Sequence, residues 1–138
     1  MSGHDQNLER QETKIAPWLS VSNAGKAIEF YQAAFGVSEL YRLTDDNGNP
    51  VIAQFSFGGA EFWIQEDSDH CPPSTGAGSV RMIVTVPDPD ALFGQALAAG
   101  ATEIAPISEG YGWRVGRLSD PFGHQWEIGE PLGSHHSK

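Results

Sequence analysis

The chain has 138 residues, 39% of them apolar with seven Phe and four Trp, and sets 18 acidic against 8 basic side chains for a formal net charge of -10. That length gives one domain with a proper core, and the acidic balance argues against nucleic acid or an anionic membrane as partner, since no basic stripe can meet phosphates. The lone Cys71 rules out an internal disulfide or a cysteine metal cluster, and a polar N-terminus with no span-length apolar run points to the cytoplasm.

Residues 1–14 and 132–138 are polar and read as tails, with His135 and His136 a loose ending rather than a metal site. The apolar stretch 15–21 predicts the first strand. Asn23 is a good N-cap, and Ala27, Ile28, Tyr31, Ala34 and Phe35 fall on one face of a helix that Gly36 should end in the left-handed region. Stretches 39–44, 51–57 and 61–65 predict three more strands, joined by a turn at 45–50 and by Gly58-Gly59. Residues 67–78, rich in Pro, Gly, Ser and Thr, read as a linker. The pattern then returns. Strand 80–86 leads to the N-cap Asp88 and to Pro89, which suits a first helical position. Leu92, Phe93, Ala96, Leu97 and Ala99 form a second apolar helix face ended by Gly100, and strands 102–107, 113–118 and 125–128 close the chain.

This is an internal repeat of strand, helix, strand, strand, strand. Val21 matches Val86 at an offset of 65 residues and Gly36 matches Gly100 at 64, so one residue of slippage separates the copies. Module one is 15–66 and module two 79–131, within a single domain 15–131.

Four motifs on this repeat resemble a known group. They are Ala27-Ile28-Glu29-Phe30-Tyr31 with Phe35-Gly36, the strand exit Asp88-Pro89-Asp90, Gly100-Ala101, and Tyr111-Gly112-Trp113-Arg114 leading to Asp120-Pro121-Phe122-Gly123-His124-Gln125-Trp126-Glu127. Together they resemble the vicinal-oxygen-chelate superfamily of glyoxalases, bleomycin-resistance proteins and dioxygenases, and most closely its bleomycin-resistance-like branch. The resemblance implies an α+β fold of two βαβββ modules whose strands form a cup-shaped mixed sheet around a small ligand, in a homodimer whose chains share the site.

The superfamily's chemistry usually rests on a divalent metal held from the first and last strand of each module. Transferred through the repeat, those positions are Ala16, Trp63, Arg81 and Glu127. Alanine and tryptophan offer no suitable donor, and a guanidinium repels a cation, so only Glu127 could serve. None of the five histidines (4, 70, 124, 135, 136) falls in a predicted strand. The expectation is no metal and no other cofactor.

Strand alternation says what fills the cup instead. The face opposite the helices takes Trp18, Gln54, Glu61, Trp63, Gln65, Arg81 and Glu127, with Trp113 and Arg114 as further ligand contacts. Arg81 and Glu127 either pair or meet ligand; a partly buried pair predicts a loss of a few kcal/mol when Arg81 alone is removed. Arg114 either anchors an acid group or pairs with a carboxylate. Ser119, Asp120 and His124 lie along one turn and cannot form a nucleophile, base and orienter in line. Phosphate-loop and dinucleotide glycine patterns are absent. Two readings of function follow. One is a metal-free protein sequestering an antibiotic or other natural product. The other is a glyoxalase-, isomerase- or dioxygenase-type enzyme acting on a small oxygenated substrate, with Glu127 as its catalytic base.

Overall fold

The computed structural model describes residues 13–69 and 80–133. The elements in chain order are β1 (Trp18–Val21), α1 (Ala24–Phe35), β2 (Ser38–Thr44), β3 (Pro50–Phe57), β4 (Ala60–Glu66), β5 (Arg81–Thr85), α2 (Pro89–Ala99), β6 (Thr102–Gly110), β7 (Trp113–Ser119) and β8 (Gln125–Pro131). Two four-stranded mixed sheets result, in the orders β1-β4-β3-β2 and β5-β8-β7-β6. In each, the first strand runs parallel to the last and the remaining pairs are antiparallel. Most of the tails and of the linker, with Cys71 and four of the histidines, lie outside the described residues.

The repeat holds at the level of register. Trp18 stands level with Trp63 in module one and Ile83 with Glu127 in module two, as offsets of 65 and 64 residues require. The first irregularity matches too: pairing slips between Glu39 and Tyr41 in β2 and between Glu103 and Ala105 in β6, whereas the second slip of each strand, between Leu43 and Thr44 and between Ala105 and Ser108, differs. A bulge kept at one place in both copies bends both sheets alike.

Local signals set the helix ends. The Asn23 side chain accepts from Lys26 N at 3.0 Å and that of Asp88 from Ala91 N at 3.2 Å, each satisfying an amide of the first turn. Gly36 closes α1 in the left-handed region with φ 67° and ψ 30°. Gly100 departs from the expected left-handed stop: at φ 124° and ψ 4° its backbone lies outside that well, and its N–H returns to Ala96 and Leu97. Tyr111 and Gly112 both have positive φ, 54° and 84°, between the paired Gly110 and Trp113. Positive φ at both central residues is what a two-residue hairpin turn matched to strand twist demands.

The core belongs to both modules. Each helix packs on its own sheet, and α1 and α2 pack on each other. Phe62 of β4 and Trp126 of β8 lie on the helix-bearing faces of their sheets, and their ring centroids are 5.6 Å apart. Phe35 of α1 approaches Trp126 to 4.5 Å. Tyr31 of α1, wholly buried, donates its hydroxyl to Asp120 Oδ2 at 2.6 Å in the turn between β7 and β8. Burial, and next the neighbouring carboxylate, push the Tyr31 phenol well above its ordinary value. Trp126 Nε1 donates to the same oxygen at 2.9 Å, while Asp120 Oδ1 accepts from the amides of Phe122 and His124 at 2.9 Å each. One buried carboxylate thus fastens the second module's turn to the first module's helix.

Candidate functional site

Since the helix-bearing faces share one core, the opposite faces turn outward. They are open to a degree that packing does not explain: Trp18 is 50% exposed, Tyr41 46%, Ile83 69% and Trp113 39%. Large apolar side chains gathered on an open face mark a place where something binds.

On module one the wall is aromatic. The rings of Trp18 and Trp63 stack at 6.0 Å with 23° between planes, and Tyr41 meets Trp63 at 6.0 Å. Their order comes from register, since Trp18, Trp63, Gln54 and Tyr41 stand side by side across β1, β4, β3 and β2. Polar neighbours fix the wall: Trp18 Nε1 donates to Gln65 Oε1 at 2.9 Å, Gln54 Nε2 to Glu61 Oε1 at 3.0 Å, and Lys14 meets Glu61 at 3.4 Å.

On module two the face is apolar with charge at its floor. Ile83, Trp113 and Val115, with the hairpin tip Tyr111, line a cavity of about 320 Å³ that has Glu127 and Gly129 on its wall. Arg81 Nη1 lies 3.2 Å from Glu127 Oε2. Of the two roles open to this pair, the geometry shows the ion pair. It is not a buried one, with the arginine side chain 42% exposed and the glutamate 26%, so the expected loss of a few kcal/mol does not carry over. Solvent screening reduces an open pair to at most about 1 kcal/mol. In urea unfolding, Arg81→Ala should lower stability by no more than about that amount, and the double change with Glu127→Gln should recover part of it. A single-mutant loss of several kcal/mol would contradict the exposed geometry.

Arg114 does not belong to either open face. It alternates with Trp113 and Val115 onto the helix side, where its Nε and Nη2 donate to Asp90 at 2.8 and 2.6 Å and its Nη1 to Glu109 at 3.2 Å. Hydrogen bonding to Arg114 holds the Asp90 carboxyl below its ordinary value, and the same bonds raise the guanidinium. Of its two readings, the pairing with carboxylates is the one observed. His124 is likewise structural in its contact, with Nε2 2.7 Å from the carbonyl oxygen of Ser20 in β1.

Trp18, Gln54, Glu61, Trp63 and Gln65 are brought together on sheet one, and Arg81, Trp113 and Glu127 on sheet two, and the two sets meet within one chain only where Glu61 and Arg81 line a shared cavity of about 470 Å³. Sequence reasoning missed Tyr41, Ile83, Val115 and Arg117. The repeat held the signal for two of them, as Ile83 is the counterpart of Trp18 and Arg117 of Gln54. Of the four positions that the resemblance gives for metal ligands, Ala16 and Trp63 belong to module one and Arg81 and Glu127 to module two, with Ala16 and Arg81 lining the same cavity. As a donor set they do not fit a divalent ion, with one carboxylate already held by a guanidinium. Among the described residues no group of three or more His, Cys, Asp or Glu is placed to hold a metal. No helix among them is long and apolar enough to cross a membrane.

Residues 18–129 match the family described as Glyoxalase-like domain. An uncharacterized protein of Mycobacterium tuberculosis is 35% identical over 129 residues, covering 88% of this chain and 76% of that protein. Among solved structures, TioX from Micromonospora sp. ML1 is 25% identical, with 87% of this chain and 100% of that one covered at a TM-score of 0.69. The fosfomycin resistance protein FosX of Listeria monocytogenes shares the fold at 17% identity and a TM-score of 0.70, covering 88% of this chain and 94% of that one. With both modules spanned by the family match and the strand order that the repeat requires, the chain belongs to the glyoxalase-like domain family.

Proposed function

We propose that this chain is a metal-free, cytoplasmic binding protein that sequesters a small aromatic molecule, an antibiotic or other natural product, in a pocket completed by a second copy of itself. The observation that carries the reading is the open wall of Trp18, Trp63 and Tyr41 standing where the superfamily places part of its metal shell. A tryptophan at a ligand position trades ion chemistry for a stacking surface, which a planar ligand can cover without any bond being made or broken. The outward faces support the dimer. Each is half a cup, and module one of one copy laid over module two of another would enclose a site that neither encloses alone. An enzymatic role through Glu127 is less well supported, because the carboxylate that would take the proton already accepts from Arg81.

The test is a thermal-shift screen of small aromatic compounds with and without divalent metal, beside sedimentation of the free protein. Compounds should raise the melting temperature without metal, Trp63→Ala should cancel the gain, and the protein should sediment as a dimer at micromolar concentration. Stabilisation by zinc, nickel, manganese or iron that is lost in Glu127→Gln would overturn the metal-free reading. A strict monomer would overturn the shared pocket.

A further inference from the structure

Charges on the two open faces cancel in pairs with one exception. Lys14 answers Glu61 at 3.4 Å, and Arg81 answers Glu127 at 3.2 Å. Arg117 of β7 is left over. It stands level with Glu127 in the neighbouring strand and shares that side of the sheet with Val115, whereas Gly116 and Leu118 turn to the core on the helix side. Its side chain is half-buried, and among the described residues no carboxylate or carbonyl accepts from it. Glu127, its nearest carboxylate by register, is engaged by Arg81 from the other flank. Two guanidiniums therefore bracket one carboxylate, and the floor of this half-site carries one uncancelled positive charge in a chain whose formal net charge is -10.

An isolated arginine on an acidic protein ordinarily finds one of the surplus carboxylates, as Arg42 does with Glu39 and Arg114 with Asp90 and Glu109. A guanidinium without an acceptor, level with Glu127 and on the side of Val115, which both line the cavity of about 320 Å³, is a preformed anion receptor at its border, because its planar fork matches the two oxygens of a carboxylate or phosphonate. The acidic remainder of the surface does not forbid such a ligand, since charges beyond about 8 Å are largely screened at physiological ionic strength.

Resting on the reading of this face as a ligand site, we infer that the ligand is an aromatic anion, its oxyanion group held by Arg117 while its ring lies among the aromatic and apolar side chains. The complementary expectation, a cationic ligand drawn by an acidic protein, is disfavoured because both carboxylates on the faces are already neutralised.

The experiment is equilibrium dialysis of the full-length protein against matched sets of benzoic, naphthoic and indole-3-acetic acids, their primary amides and the corresponding amines. The acids should be retained over the amides, and Arg117→Gln should cost them roughly ten- to a hundredfold in affinity, the range of a lost charge-assisted bond, while amide retention stays level. Arg117→Lys should restore part of the preference, and raising salt should erode it. The unchanged amide binding shows that the variant is folded. Retention of acids and amides alike, a preference that survives Arg117→Gln, or amines held tightest would overturn the anion receptor and leave a binding protein of another specificity. No retention of any class would overturn both this inference and the binding reading beneath it.

Discussion

Asp120→Ala is expected to cost roughly 3–5 kcal/mol in urea unfolding, a large part of the 5–15 kcal/mol that a domain of this size commonly has. Its carboxylate accepts four bonds, two from backbone amides of its own turn and two from the buried Tyr31 hydroxyl and Trp126 indole. Truncation leaves both side-chain donors in an apolar core with no acceptor, and each unpaired buried group costs about 1–3 kcal/mol. Tyr31→Phe should cost less, because Asp120 keeps three of its donors. The double change should fall well short of additive, showing a coupling between the two sites. Tyr31 also sets an alkaline limit. The folded chain holds the phenol proton more tightly than the unfolded chain, whose value is near 10. That contribution is whole below this pH and is lost as pH rises past it towards the higher folded value. Phenylalanine at this position should remove that limb of the stability curve. A loss under about 1 kcal/mol for Asp120→Ala would show that the modules hold together without it.

Gly129→Val should be the most damaging change on the open face of module two, at about 3 kcal/mol or more, since overpacking that meets backbone cannot relax by a rotamer change. A Cβ built there would lie 2.6 Å from the carbonyl oxygen of Arg114 and 2.8 Å from the Cβ of Val115. Those atoms belong to the strand paired with it, Val115 facing Gly129, so they move only if the pairing of β7 and β8 is given up. The Gly129 carbonyl also accepts from Val86 N at 3.0 Å, which ties the strain to the entry of α2. Gly94 makes the control. It lies within α2, no heavy atom comes within 4 Å of its added Cβ, and Gly94→Ala should stabilise by up to about 1 kcal/mol. Melting temperatures moving in opposite directions would separate lost space from lost backbone freedom. If both substitutions stabilised, the close approach of the two strands would be refuted.

The repeat made most of the fold legible. Every strand and both helices follow from apolar period, caps and turn residues, and the mapping of Trp63 onto Glu127 survives to the hydrogen-bond register. Ends were less legible. Strand β6 runs to Gly110 and β8 to Pro131, beyond the apolar stretches, because a two-residue turn lets ladder pairing continue through Ser108, Glu109 and Gly110 whatever their polarity. Alternation placed Trp18, Trp63 and Glu127 correctly relative to their helices, yet it is silent on which way one module faces the other. That is decided by contacts such as Phe35 with Trp126 and Tyr31 with Asp120, between residues far apart in sequence. Arg114 shows the same limit on a small scale, as its partner Asp90 sits 24 residues away on the first turn of a helix.

The two copies of the module have kept their bulge and their strand register while exchanging nearly every side chain on the open face: Trp18 against Ile83, Gln54 against Arg117, Trp63 against Glu127. Backbone sameness with side-chain difference makes the two halves chemically unlike, one a stacking plate and the other a charged recess. Two chains related by a two-fold axis would then bury two equivalent chambers, each built from one plate and one recess. Saturation at one molecule per polypeptide, with a guest whose two ends differ, is the stoichiometry that such a pairing imposes.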